Sequence, residues 1–280
     1  MKTSHKTTLR MLFAFIFGAS LTSSYIYYKR DVAEDSYFKT LAKTIIEKRK
    51  EYNEDSIIVD AVHLTHSLLQ PRNALFGGTT QINNVSYDGS LTSDLMTASG
   101  ACGSYADVLC RLLQTLNFRA RIGQMKVRDD FGGHIITEVL TENGWVVLDA
   151  SYDLCFVNPK GQLASFSEVR SNWSYYKAMT PPGYNPAYRY EDIRFTNWTK
   201  VPVIMPALKG SLSLLFPKAK MQEISIRPHL LRKYRIFSVI SACLSAISLW
   251  VLLKGRFSLS GLSLLNKRVP KPFLTLQIQK

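Results

Sequence analysis

Two runs of 18 residues without a charged side chain, Met11 to Tyr28 and Ile236 to Leu253, lie near the two ends of this 280-residue chain and narrow what it can become. Each is close to the length that crosses a bilayer as a helix, about 20 residues. Tyr25, Tyr27 and Tyr28, followed by Lys29 and Arg30, form the aromatic and cationic collar of a membrane interface. Arg232, Lys233, Arg235, Lys254 and Arg256 bracket the second run. We read both as membrane segments. A cleaved signal peptide competes for the first run, because a basic start precedes Met11 to Ala19 and small polar residues follow, but an Ala-x-Ala site is missing. A buried core helix competes for the second, and the tight basic bracket favours a span.

Two spans put residues 29 to 235 on one side of the membrane and both termini on the other. Six basic residues follow the second span and three precede the first, which favours cytoplasmic termini and an extracytoplasmic domain. Four basic residues from Arg227 to Arg235 oppose this orientation, but so long a loop is largely exempt from the positive-inside rule. The expected organisation is an anchor or signal segment at 1–30, a globular domain at 31–204, a basic juxtamembrane linker at 205–235, a span at 236–253 and a basic tail at 254–280.

The net charge of +14 invites a nucleic-acid partner, and its distribution argues against one. Residues 1–30 carry +5 and residues 205–280 carry +12, which leaves the middle at −3 with no concentrated basic stripe. Cysteines are few. Cys243 lies in the second apolar run, and Cys102, Cys110 and Cys155 are too sparse for a disulfide framework or a metal site. Cys110 and Cys155 are either two small buried hydrophobes or a pair in an oxidising compartment.

Apolar residues at intervals of three and four from Asp31 to Leu69 predict two helices. Residues 70–99, with Pro71, Gly77, Gly78, Asn83, Asn84 and Gly89, read as a long irregular stretch of the kind that borders sites. A helix starts at Cys102 and runs along Tyr105, Val108, Leu109, Leu112 and Leu116 to Asn117, a residue type that accepts a left-handed cap. Strand-like runs follow at Ala120–Val127, Ile135–Leu140 and Trp145–Leu148, the last two joined by Thr141-Glu142-Asn143-Gly144. Residues 150–200, rich in Tyr, Asn, Pro and Trp, read as ordered loops over the core. Asn84, Asn172 and Asn197 open glycosylation sequons, a pattern frequent by chance.

Gly100-Ala101-Cys102-Gly103 places a cysteine where a glycine-bearing loop becomes a helix. First-turn amides and the helix dipole there stabilise a thiolate and can later hold an oxyanion. The leaving group needs a proton, and an imidazole is its usual donor near neutral pH. Of five histidines, His134 is the best placed, since it follows Gly132-Gly133 and opens a strand. Asp149 ends the partner strand after Val146, Val147 and Leu148, where a lone buried carboxylate would be costly. An ideal turn at Asn143-Gly144 would pair Asp149 with Glu138 and leave His134 about 13 Å away at strand rise. Contact between them requires a turn centred near Thr141-Glu142 or a bulge. Taken singly, each residue also has a structural explanation, as a helix-start hydrophobe, a loop residue and a cap acid.

Together the residues resemble the core of the transglutaminase-like superfamily. The matching positions are Gly100 and Cys102, the helix through Leu112, Leu113 and Leu116, Phe118-Arg119-Ala120-Arg121, His134 with Glu138, and Gly144-Trp145 with Leu148-Asp149-Ala150-Ser151. The spacing is 32 residues from Cys to His and 15 from His to Asp. The resemblance departs at Ile136, where the family commonly has Trp, and at Asn117, which replaces a Gly. The chain also has no Trp before Trp145 to serve as the oxyanion-holding tryptophan of the animal enzymes. Gln81 and Asn83 are candidates for that second donor.

The resemblance implies an α+β papain-like fold, a nucleophile helix packed on an antiparallel sheet that carries the other two residues, flanked here by the two membrane helices. It implies a catalytic set of Cys102, His134 and Asp149 acting on protein or peptide amides through an acyl-cysteine, passed to water or an amine, with no cofactor and no evident calcium site. The alternative is a non-catalytic membrane-tethered binding or scaffold module. A third reading is a two-span assembly protein with cell-envelope partners, in which the fold is incidental.

Overall fold

Among the described residues, period-two patterning in the middle of the chain and period-3.6 patterning on either side of it resolve into five strands and nine α-helices. The computed structural model describes residues 2–48, 53–76 and 89–265. In chain order these form α1 (Lys2–Glu47), α2 (Glu54–Phe76), α3 (Leu91–Thr97), α4 (Cys102–Thr115), β1 (Arg119–Val127), β2 (Asp130–Thr141), β3 (Gly144–Asp149), β4 (Leu154–Cys155), α5 (Phe166–Ser171), α6 (Trp173–Tyr176), β5 (Ile193–Arg194), α7 (Ile204–Ser213), α8 (Lys218–Glu223) and α9 (Lys233–Leu265). Two compact units emerge, one from Met1–Arg30 with Tyr234–Lys280, the other from Asp31–Lys233.

In the first unit the polarity is inside out. Ser20, Ser245 and Ser248 are buried, while Phe15, Leu21, Ile240 and Ile247 are exposed. The hydroxyls of Ser24 and Ser238 each donate to the other's carbonyl at 3.0 Å, a close approach that only small side chains allow. Tyr27 packs against Tyr234 and Phe237. Among the described residues two helices are long and apolar enough to cross a membrane.

The second unit is α+β. Its sheet has the order β4-β3-β2-β1-β5, with every pairing antiparallel. On one face α4 packs with α2 and the C-terminal part of α1, and Phe38, Ile58, Val62, Leu109 and Leu112 meet Ile122, Val139 and Leu148 there. Burying each such side chain contributes about 1.5–3 kcal/mol. An aromatic layer covers the other face, where Phe156, Phe166, Tyr176 and Tyr190 pack on Met125, Ile136 and Val147.

The helix ends follow local chemistry. Asn53 caps α2 by accepting from the Ser56 N–H, and Glu54 and Asp55 occupy its positive first turn. Beyond α4, Asn117 adopts φ 68° and the Phe118 N–H bonds back to the Leu113 carbonyl, the closing bond of a Schellman cap.

Two local expectations change. The stretch read as irregular contains α3, capped by the Ser90 hydroxyl, while residues 77–88, including Asn84 of the first sequon, lie outside the described residues. Residues 205–233, expected to be a linker, form part of the second unit, with α7, α8 and the buried Met221, Pro228 and Leu231. Net basic charge is a poor guide here, because Arg227 and Arg232 are paired with Asp107 and Asp31. The last part of the basic tail, residues 266–280, also lies outside the described residues.

Candidate active site

Cys102 is the first residue of α4, and the loop before it is wound tightly. Ala101 holds φ 48° and ψ −131°, a conformation strained for any residue with a Cβ. The Ser104 hydroxyl ties the turn down, donating to Asp94 Oδ1 at 2.5 Å and accepting from the Gly100 N–H at 2.9 Å. Ala101 has no side chain to cap the helix, and the Gly103 and Ser104 N–H groups bond back to the Gly100 and Ala101 carbonyls at 3.0 Å, so the Cys102 N–H is the helix-start amide that can serve an oxyanion beside the half-buried thiol.

His134 is aimed by a bulge. Met125 pairs with His134 but Lys126 pairs with Phe131, so Gly132 and Gly133 are extra on β2 immediately before the histidine. Gly132 takes φ +101°, and a Cβ on Gly133 would stand 2.6 Å from the Val127 Cβ, so neither position accommodates a side chain without a shift.

Asp149 reaches the same place through register. Thr141 pairs with Gly144 and Thr137 with Leu148, which makes Glu142 and Asn143 the turn and puts Asp149 in line with Ile136. The turn therefore lies between the two alternatives weighed from sequence. Its consequence is a diagonal pair, since His134 is two residues from Ile136 and on the same face, about 7–8 Å away in backbone terms. Imidazole and carboxylate close that gap, with His134 Nε2 2.6 Å from Asp149 Oδ2 and both side chains 1% exposed.

The second imidazole nitrogen, Nδ1, is buried with no hydrogen-bond partner. Besides Asp149, Cys102 is the titratable group near enough to act on this ring, and it raises the imidazole further. Although the body of α4 packs on the opposite face of the sheet, its first residue lies close enough to the start of β2 for His134 and the Ile135 backbone to act on the thiol.

The electrostatics favour an ion pair. Burial pushes the Cys102 thiol up, but the proximity of His134 and the Ile135 N–H outweighs it and the net displacement is downward. Burial pushes His134 down, yet the charge and bond of Asp149, reinforced by Cys102, raise it to about 9. The other domain cysteines move the opposite way. Burial pushes the Cys110 thiol up, and it pushes Cys155 up to about 12. Both are free rather than paired with each other.

Tyr152, Tyr184 and Tyr188 around this trio escaped the sequence reading, which also gave the matching residue Ser151 no role. The Ser151 hydroxyl donates to Asp149 Oδ1 at 2.6 Å. The Tyr184 hydroxyl stands 3.5 Å from Asp149 Oδ2 and 3.1 Å from the Tyr190 hydroxyl. Tyr188 stacks on the His134 ring and Tyr152 meets it edge-on, with centroids 5.9 Å apart. The tyrosine richness of 184–190 was the available signal, but nothing in its spacing says which ring faces the histidine. His63 and His66 brace the segment after Asp149 by bonding Asp153 Oδ2 at 2.8 Å and the Ala150 carbonyl at 2.9 Å.

Gln81 and Asn83, the candidate oxyanion donors, lie outside the described residues. Among the described residues no group of three His, Cys, Asp or Glu side chains is arranged to hold a metal ion.

Residues 73–150 match the model of the Transglutaminase-like superfamily core. The match takes in α3, α4 and the first three strands, and with them Cys102, His134 and Asp149. No curated protein and no solved structure gave a significant match to the chain.

Proposed function

We propose that this chain, which carries a transglutaminase-like core at residues 73–150, is a membrane-anchored thiol enzyme that transfers acyl groups from protein or peptide amides. The supporting observation is the meeting of a helix-start cysteine, a bulge-aimed histidine and a strand-end aspartate, with a thiol displaced downward and an imidazole raised to about 9.

In this reading the Cys102 thiolate attacks the amide carbonyl, and the Cys102 backbone N–H holds the oxyanion. As the tetrahedral intermediate collapses, the C–N bond breaks and the His134 imidazolium gives its proton to the departing amine. The acyl-cysteine remains. His134, now neutral, takes a proton from water or an incoming amine, which attacks the thioester and restores the thiol and imidazole pair. Asp149 fixes the ring through Nε2, leaving Nδ1 for these transfers, and stabilises the imidazolium. The tyrosines limit access of bulk water to the His–Asp pair.

The test compares Cys102→Ala with Cys110→Ala in labelling by a thiol-reactive acyl probe. Loss of label in the first and retention in the second is expected. Equal labelling of Cys102→Ala and the parent would end the enzyme reading and leave the scaffold alternative.

We also assign two spans with the domain on the extracytoplasmic side, supported by the six basic residues after the second span against three before the first. Protease added to intact cells should then cut within the domain. Cutting only after lysis reverses the orientation.

A further inference from the structure

From Ile193 to Gln222 the chain has no acidic residue and five basic ones, Arg194, Lys200, Lys209, Lys218 and Lys220. The same stretch holds the three most exposed aliphatic side chains among the described residues of the second unit, Leu214, Val203 and Leu215, with Ile204 close behind. Val203 is 80%, Ile204 66%, Leu214 87% and Leu215 75% exposed. Scattered exposed leucines are ordinary on a protein surface, but a continuous run of them marks a surface that something covers.

The pattern on α7 is amphipathic. At 100° per residue Ile204, Met205, Ala207, Leu208 and Leu212 fall on one face together with Ser211, and Lys209, Ser213, Pro206 and Gly210 lie outside it. Only one edge of the apolar face is occupied. Met205 and Leu212 are half-buried, and Met205 lines a cavity of about 470 Å³ together with Val201, Phe195 and Leu231, whereas Ile204 and Leu208 face outward. The outward apolar surface continues past the helix through Leu214 and Leu215.

We infer that residues 201–216 lie in the interface of an anionic lipid bilayer, with Ile204, Leu208, Leu214 and Leu215 among the acyl chains and Lys200, Lys209, Lys218 and Lys220 at the headgroups. Three observations favour lipid over a protein partner. The charges are of one sign over 30 residues, whereas protein interfaces mix signs. From Val203 to Leu215 the exposed side chains are Val, Ile, Leu, Ala, Pro and Ser with Lys209 as the one charge, and none is acidic. The chain also has two helices of spanning length with aliphatic side chains outward and serines inward, so a bilayer is the surface it meets. The inference rests on the membrane segments and not on the thiol chemistry.

A photoreactive benzoylphenylalanine at Leu214 or Val203 of the full chain, in nanodiscs of phosphatidylcholine with or without phosphatidylglycerol, reads the contact directly. A third site, Gln162, is exposed and outside the patch. The expected result is lipid adducts at 214 and 203 but not at 162, with yield about tenfold lower without phosphatidylglycerol or in K209E/K218E/K220E. Adducts to a second polypeptide, no adducts, or equal yield at 162 would overturn it. Carbonate extraction of the same chains separates the two layers of the argument, since a resistant chain without adducts keeps its spans and loses only this interface.

Discussion

The imidazole of His134 lies flat against the ring of Tyr188, with centroids 4.1 Å apart and planes 11° from parallel. The Tyr188 face is the negative side of its quadrupole, so the stack favours the imidazolium over the neutral ring and, through it, the Cys102 thiolate.

Removing that face should raise the pH at which Cys102 becomes reactive. Stacks of this kind contribute about 0.5–1.5 kcal/mol, which is up to about one pH unit. Tyr188→Leu is expected to shift the midpoint of Cys102 alkylation upward by close to that amount, and Tyr188→Phe by a small fraction of it. An unchanged midpoint in the leucine variant refutes the role.

The His134–Asp149 pair makes stability depend on pH with a definite sign. His134 is raised from 6.5 to about 9, so its pairing contributes fully below about pH 6.5 and fades as pH climbs through about 9. The thermal midpoint of the parent in detergent should exceed that of Asp149→Asn near neutrality, and the gap should narrow as pH rises past about 9. A gap that stays constant to higher pH contradicts the assignment.

Gly133→Ala puts a Cβ against Val127 at 2.6 Å, and the neighbouring atom is itself a Cβ with no freedom to swing aside. Overpacking of this kind costs about 1–3 kcal/mol. Relief by movement of the bulge would re-aim His134, so Cys102 labelling by an acyl probe should fall along with stability. Normal labelling in a destabilised variant would show that the bulge does not aim the histidine.

Arg121 is held between the rings of Trp145 and Phe195, 4.0 and 3.9 Å from their centroids, and bonds Glu138 at 2.7 Å. Glu138 is buried, so Arg121→Met strands a carboxylate and should cost about 3–5 kcal/mol in denaturant unfolding. The double variant Arg121→Met/Glu138→Leu is expected to recover most of that loss. Equal stability of the single and double variants would mean the pair is not energetically coupled.

Periodicity made much of the frame legible. The helix beginning at Cys102, the cap at Asn117 and the three central strands are local patterns, and the structure reproduces them to within a few residues. Register was legible only as alternatives. Asn143-Gly144 promised one turn and the His–Asp contact asked for another, and the chain adopts a third, with Gly144 at φ +111° as the residue after the turn. Moving the turn by one residue shifts the pairing by two, which keeps every side chain on its face and is invisible in alternation of period two, so cross-strand contacts decide it.

By itself the sequence determined the two apolar helices, the order of Cys102, His134 and Asp149, and the α+β character of the middle. These follow from interactions within a few residues of one another, which is the range over which a pattern is written. Tertiary structure decided that the histidine and aspartate meet diagonally, that Tyr184 and Tyr188 close over them, and that residues 205–233 pack on the domain. Those contacts join groups tens of residues apart through segments with no period, and their energy exists only once the sheet has brought both sides together.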